Sequence, residues 1–354
     1  MQDQSTSQCQ RSTIAVDAMG GDQAPQAIVA GAVAAARAVP AVDIALVGDE
    51  AVIRAHLPEA AVPTNIVVRH ASQVVSMCDP PGAVIRQKPD SSIGVGMRMV
   101  RDGKAQAFIS AGNSGAMMAA AILILKPQPG VDRPAIATLL PTLTGSVVLL
   151  DAGATADCKP IHLLQFARMG SVYARLVFDC PRPRVGLLSI GEEPTKGNEL
   201  TKEAHKLLLT SELNFTGNVE PKELNRGEVE VAVCDGFVGN LMLKAGEGFG
   251  LMMMELFERE LKAEMAATTL DPQIVAQFAG LLKPAIRRVR ARVDYAEVGC
   301  ALLLGVNGIV LIGHGRSNAL AIENAICRTA VRVVEYHLTD FLRASTPSEV
   351  ADSV

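Results

Sequence analysis

One pattern constrains this chain more than any other. Short apolar runs recur along it, and most end on a loop of Gly, Asp, Asn or Ser. They lie at 13–16, 43–47, 65–68, 106–109, 135–140, 146–150, 185–189, 229–233 and 308–312. Their Val, Ile, Leu and Ala content suits parallel strands covered on both faces. Helical stretches alternate with them. Pro25 opens an Ala-rich one, in a first-turn position that tolerates proline, and 116–125 reads as an apolar helix. Strand-then-helix alternation predicts a three-layer α/β/α architecture around a largely parallel sheet.

Composition narrows the function classes. With 354 residues, 49% hydrophobic and 20% charged, the chain has a substantial core to bury and is not disordered in bulk. We place a single large α/β unit at 13–345, with room for two lobes, between tails at 1–12 and 346–354. The ten-residue run at 116–125 is half the roughly 20 residues of a spanning helix. The first eleven residues are polar and do not form a signal peptide. Seven cysteines stand singly, with no C-x-x-C, and the six histidines are dispersed. Reduced cytosolic thiols and no metal site are expected. A net charge of −4, 3% aromatics and no Trp give no case for nucleic acid.

In parallel α/β sheets, ligands bind beyond the carboxyl ends of the strands. Six loops in that position stand out. They are Asp17-Ala18-Met19-Gly20-Gly21-Asp22, Ser110-Ala111-Gly112-Asn113-Ser114-Gly115, Asp151-Ala152-Gly153-Ala154, the 190–199 loop with Lys196-Gly197-Asn198-Glu199, Cys234-Asp235-Gly236-Phe237-Val238-Gly239-Asn240, and Gly313-His314-Gly315-Arg316-Ser317-Asn318. Glycine lets backbone N–H groups approach an oxyanion, and a helix N-terminus adds partial positive charge. The chemical reading is anion binding; the plain one is that Gly and Asn turn the chain. No loop matches the P-loop pattern, and Gly94-Val95-Gly96 is misplaced for a dinucleotide fingerprint.

The loops at 17–22 and 110–116, Lys196-Gly197-Asn198-Glu199-Leu200, Gly217-Asn218-Val219-Glu220, Asp235-Gly236-Phe237-Val238-Gly239-Asn240, Gly305-Val306-Asn307-Gly308 and His314-Gly315, in that order, closely resemble the phosphate acyltransferase (PlsX) family of bacterial phospholipid synthesis. The resemblance runs from about residue 13 to 340. It implies transfer of a fatty acyl group from the thioester of acyl carrier protein to inorganic phosphate, without a cofactor. It implies a dimer, a fold like phosphate acetyltransferase and the isocitrate/isopropylmalate dehydrogenases, and a cytoplasmic enzyme that attaches reversibly to the inner face of the cell membrane. Two departures stand out. Gly299-Cys300-Ala301-Leu302 replaces the family's Gly-Gly-Ala-Pro, and Arg316 stands where Ser is common.

Within that reaction the residue types suggest roles. Asp17, Gly20, Gly21, Asn113, Ser114, Gly115 and Asn198 are candidate phosphate or substrate contacts. Lys196 offers charge compensation and Asn240 an amide donor. Asp17 and Asp235 orient donors or relay a proton, and His314 protonates the departing thiolate. Each has a plainer alternative: a helix-start surface lysine, a capping Asn, an Asp bracing its turn, a loop histidine.

The mean hydropathy of +0.25 leaves apolar surface to place beyond the strands. The stretch at 246–292 reads as a helical protrusion rich in Leu, Met and Phe, ending beside Arg287, Arg288, Arg290 and Arg292. Apolar residues next to an Arg cluster fit an anionic membrane surface or the acidic acyl carrier protein. A homodimer interface fits as well. The runner-up function is an NAD(P)- and metal-dependent decarboxylating dehydrogenase of the isocitrate/isopropylmalate type. A non-catalytic membrane scaffold is the reading from a different class.

Overall fold

All nine apolar runs form strands, and two further strands appear. A computed structural model describes residues 11–293 and 295–345. The order begins β1 (Thr13–Asp17), α1 (Gln26–Ala38), β2 (Asp43–Gly48), α2 (Glu50–His56), β3 (Ile66–His70), α3 (Pro81–Gln87), α4 (Ser92–Arg101), β4 (Ala107–Ser110) and α5 (Ser114–Ala120). A π-helical turn, Ala121–Leu125, extends α5. There follow β5 (Ala135–Pro141), β6 (Ser146–Leu150), α6 (Pro160–Phe178), β7 (Val185–Leu188), α7 (Glu199–Leu209), β8 (Phe215–Val219), α8 (Pro221–Arg226), β9 (Val231–Val233), α9 (Gly236–Ala267), α10 (Pro272–Val293) and α11 (Tyr295–Val298). The chain closes with β10 (Cys300–Leu304), β11 (Ile309–Gly313), α12 (Ala319–Asn324), a π-helical turn at Ala325–Ala330, α13 (Val331–Glu335) and α14 (Leu338–Ser345). The expected tails lie outside the described residues, apart from Arg11 and Ser12.

The described residues divide into two compact units: 11–130 with 299–344, and 131–298. The first carries strands in the order β3-β2-β1-β4-β11-β10. All its pairings are parallel except β10 with β11. Every residue of β4 and β11 is buried, the signature of a sheet covered on both faces. α4 lies flush on β4, because a Cβ on Gly96 would stand 2.1 Å from the Phe108 ring.

The second unit orders its strands β5-β6-β9-β7-β8. Here only the β5–β6 pairing is antiparallel among these strands. β7 and β9 are wholly buried. Val147, Leu149, Leu188, Val219, Leu224, Val229 and Ala232 pack as one core cluster. The sheets are thus mostly parallel, as the alternation predicts.

The helical stretch starts at Gly236, ten residues before the expected boundary at 246. Of the 32 residues of α9, Gly236 and Gly239 alone are buried. Met242 still packs on the core cluster of the second unit, and beyond it most residues of the helix are exposed. Phe249, Met252, Phe257, Ile274, Phe278 and Leu281 are exposed on α9 and α10. Arg290 reaches Glu258 at 3.6 Å and ties the two helices together. Among the described residues no helix is long and apolar enough to cross a membrane.

Candidate active site

In the first unit, the loop after β1 is built on one carboxylate. Asp17 is buried; its Oδ1 accepts from Met19 N at 3.0 Å and its Oδ2 from Ser110 Oγ at 2.6 Å. Ser110 Oγ in turn accepts from Gly112 N at 3.0 Å. Burial pushes the Asp17 carboxyl up from its usual value, and these hydrogen bonds pull against that. Gly20 closes the packing: a Cβ there would sit 2.5 Å from Asp17 Oδ2 and 2.8 Å from Gly112 N. Gly21 holds φ at +110°, and Asp22 N donates to Gly315 O at 2.8 Å. The loops after β1, β4 and β11 are thereby brought together.

Asn113 is fully engaged. Its Oδ1 caps α5 by accepting from Ala116 N, and its Nδ2 donates to the carbonyls of Ser76, Met77 and Asp79. Its side chain therefore holds the 76–79 loop. Ser114 is exposed, and Gly115 lies under Pro81, whose ring a Cβ would meet at 2.7 Å. His314 Nδ1 accepts from Arg316 N at 3.1 Å. In the neutral ring the proton is then on Nε2.

In the second unit, Asp151 organises the loop after β6. It is completely buried, and four backbone N–H groups converge on it, from Ile136, Gly153, Ala154 and Thr155. The start of α9 is pressed against this loop. A Cβ on Gly239 would lie 1.9 Å from Asp151 O, and one on Gly236 2.6 Å from its Oδ2. Asn240 follows, and a Cβ on Gly153 would touch its side chain at 3.4 Å. Asp235 caps α9, accepting from Val238 N at 2.9 Å. Burial, then the Asp151 and Asp235 charges, push the Cys158 thiol up to about 12.

β7 lies beside β9, with Leu187 opposite Val233, so their loops start side by side. Gly197 takes φ +98°, and Asn198 caps α7 by accepting from Thr201 N at 2.9 Å. Ser189 Oγ, at the end of β7, is buried without a hydrogen-bond partner among the described residues. Lys196 is exposed. Its ammonium forms no ion pair among the described residues, and the Asn240 amide forms no hydrogen bond there.

The candidates thus sort themselves. Asn113, Asn198 and Asp235 carry helix caps, and Asp17 braces the Gly20-Gly21 turn. Lys196 and Asn240 keep their functional groups unengaged. Arg287, Arg288, Arg290 and Arg292 stand apart on α10, all exposed. Ser110 and Asp151 hold loops in place, a role that their motifs alone do not announce. An Asp just after a buried strand is the signal that marks Asp151. Among the described residues, no three His, Cys, Asp or Glu side chains are grouped as a metal site would group them.

The model of a family described as "Fatty acid synthesis protein" matches residues 12–339. A phosphate acyltransferase of Pelotomaculum thermopropionicum is 48% identical over 335 residues, 95% of each chain. One of Syntrophotalea carbinolica is 49% identical, over 90% of this chain and 89% of its own. This chain belongs to the phosphate acyltransferase family. It is an acyltransferase. A phosphotransacetylase from Streptococcus pyogenes aligns over 95% of this chain and 93% of its own, with a TM-score of 0.58 at 14% identity. A branched-chain phosphotransacylase from Enterococcus faecalis gives 0.55 at 12% over 91% and 99%. At that identity the likeness is one of fold, and it is the fold expected of this family.

Proposed function

We propose that this acyltransferase moves a fatty acyl group from the thioester of acyl carrier protein to inorganic phosphate, forming acyl phosphate for phosphatidic acid synthesis. The observation that carries the reading is the contrast between engaged and unengaged polar groups. In a member of this family, Lys196 lies on the loop after β7 and Asn240 near the start of α9, and neither side chain has a hydrogen-bonding or ionic partner among the described residues.

A phosphate oxygen attacks the thioester carbonyl carbon and a tetrahedral oxyanion forms. The C–S bond then breaks, and the carrier thiolate takes up a proton equivalent to the one phosphate loses. Phosphate dianion is nucleophilic at neutral pH, so the protein's work is placement and charge stabilisation. Good placement is worth on the order of 7–11 kcal/mol in the best cases, and one oxyanion donor about 3–4 kcal/mol. Lys196 balances phosphate charge, and Asn240 donates to phosphate or to the thioester oxygen. No cofactor enters this scheme.

Partners follow from the helical pair. Arg287, Arg288 and Arg292, beside the exposed apolar residues of α9 and α10, suit acidic acyl carrier protein and an anionic membrane surface. Arg290 is partly engaged by Glu258. The enzyme would act in the cytoplasm, reversibly at the inner face of the membrane, as a homodimer. Phosphate-dependent loss of acyl-carrier thioester, with hydroxylamine trapping of acyl phosphate, tests the chemistry. Thioester loss that is independent of phosphate overturns it.

A further inference from the structure

A buried polar chain stands behind Lys196. The Glu193 carbonyl accepts from Lys196 N at 2.9 Å, which forms the turn leading into the lysine. The same carbonyl accepts from Asn218 Nδ2, also at 2.9 Å. A carbonyl only accepts, so the Asn218 amide must present its nitrogen to Glu193 and its oxygen the other way. That oxygen meets His205 Nδ1 at 2.9 Å. An amide oxygen also only accepts, so His205 carries a proton on Nδ1. Asn218 and His205 are both more than nine-tenths buried. Phe215 packs edge-on against the His205 ring, with centroids 5.1 Å apart, and fixes its plane.

The chain of contacts is closed. His205 lies on α7, whose cap Asn198 comes two residues after Lys196. Asn218 lies on β8, and β8 pairs with β7, from which the Lys196 loop departs. The loop is therefore pinned on its Glu193 side by Asn218 and on its Asn198 side by α7, while His205 locks the two pins together. A long, exposed lysine with no ionic partner otherwise samples many rotamers. Fixing the backbone on both sides limits where its ammonium goes.

We infer that Asn218 and His205 are positioning residues that hold the Lys196 turn in its working geometry, an inference resting on the reading of Lys196 as the cation that meets phosphate. Neither touches substrate. Their effect on turnover passes through the Glu193 carbonyl.

The test uses the full chain, acyl carrier protein thioester and inorganic phosphate, with acyl phosphate trapped as hydroxamate. Asn218→Asp keeps shape but leaves the Glu193 carbonyl facing a carboxylate at pH 8. It is expected to lower kcat/KM for phosphate at least tenfold there. In a Lys196→Ala background, Asn218→Asp should cost nothing further. His205→Asn, which keeps a donor near Nδ1, should stay within threefold of wild type, and His205→Phe should not. Should Asn218→Asp fail to fold, the His205 pair decides. Wild-type kcat/KM in folded Asn218→Asp or His205→Phe, or the same fold-loss with and without Lys196, overturns the inference alone. Wild-type activity in Lys196→Ala overturns the site reading itself, and the purpose of the clamp with it.

Discussion

Replacing Asp151 by Asn tests how the loop under Asn240 is held. The carboxylate gathers four backbone N–H donors inside the core of the second unit. An amide has one accepting end. Placed at Oδ1, it keeps Ile136, Gly153 and Ala154. Its NH2 then faces Thr155 N, which approaches Oδ2 at 2.6 Å, and that bond becomes a contact between two donors. The reverse orientation is worse, because Ile136 and Gly153 both lose their acceptor. One charge-assisted hydrogen bond lost, with a buried N–H stranded, costs about 2–4 kcal/mol. That is a large share of a typical stability of about 5–15 kcal/mol. Urea unfolding of wild type and Asp151→Asn at pH 7, followed by far-UV circular dichroism, measures the difference. Because α9 starts against this loop, acyl-phosphate formation should fall as well. A variant within 0.5 kcal/mol of wild type would refute the reasoning, since Asp151 would then not be the acceptor on which this loop depends.

Two further predictions concern titration. Burial raises the Asp17 carboxyl above its ordinary value of 3.8, so folding favours its protonated form. Its contribution to stability is full below that ordinary value and is lost as pH rises through the raised native one. The stability advantage of wild type over Asp17→Asn should therefore shrink as pH rises above about 4; a difference independent of pH contradicts this. Cys158, held near 12, is ionised at pH 8 to only about one part in ten thousand, and the thiolate is the reactive form. Iodoacetamide at pH 8 should label exposed Cys78 well before Cys158, and equal rates by mass spectrometry would rule that out.

The sequence shows the strands buried on both faces because they are unbroken in hydrophobicity. It hides β8, an edge strand with Thr, Gly and Asn, half-solvated along its first residues. It also hides β10, whose Cys300–Leu304 run reads as a departure from a family motif before it reads as a strand. The loops are legible as loops, but their side-chain roles are not. Asn113 and Asn198 look like substrate contacts and Asp235 like a proton relay, and each caps a helix, since short polar side chains are also those that accept from the first N–H groups of a helix. Asp151 reads as one of many strand-end carboxylates until four donors converge on it. Asn218 and His205 stand thirteen residues apart on a strand and a helix, and no local spacing announces their contact. Tertiary packing alone makes the pair.

The central claim is that Lys196 and Asn240 serve transfer of an acyl group to phosphate. Its most direct measurement is the initial rate of phosphate-dependent acyl-phosphate formation from acyl-carrier thioester in wild type, Lys196→Ala and Asn240→Ala. The account predicts a loss of at least roughly tenfold in each variant, the scale of a donor used in the transition state, with the fold retained by circular dichroism. Near wild-type rates in both folded variants would contradict it.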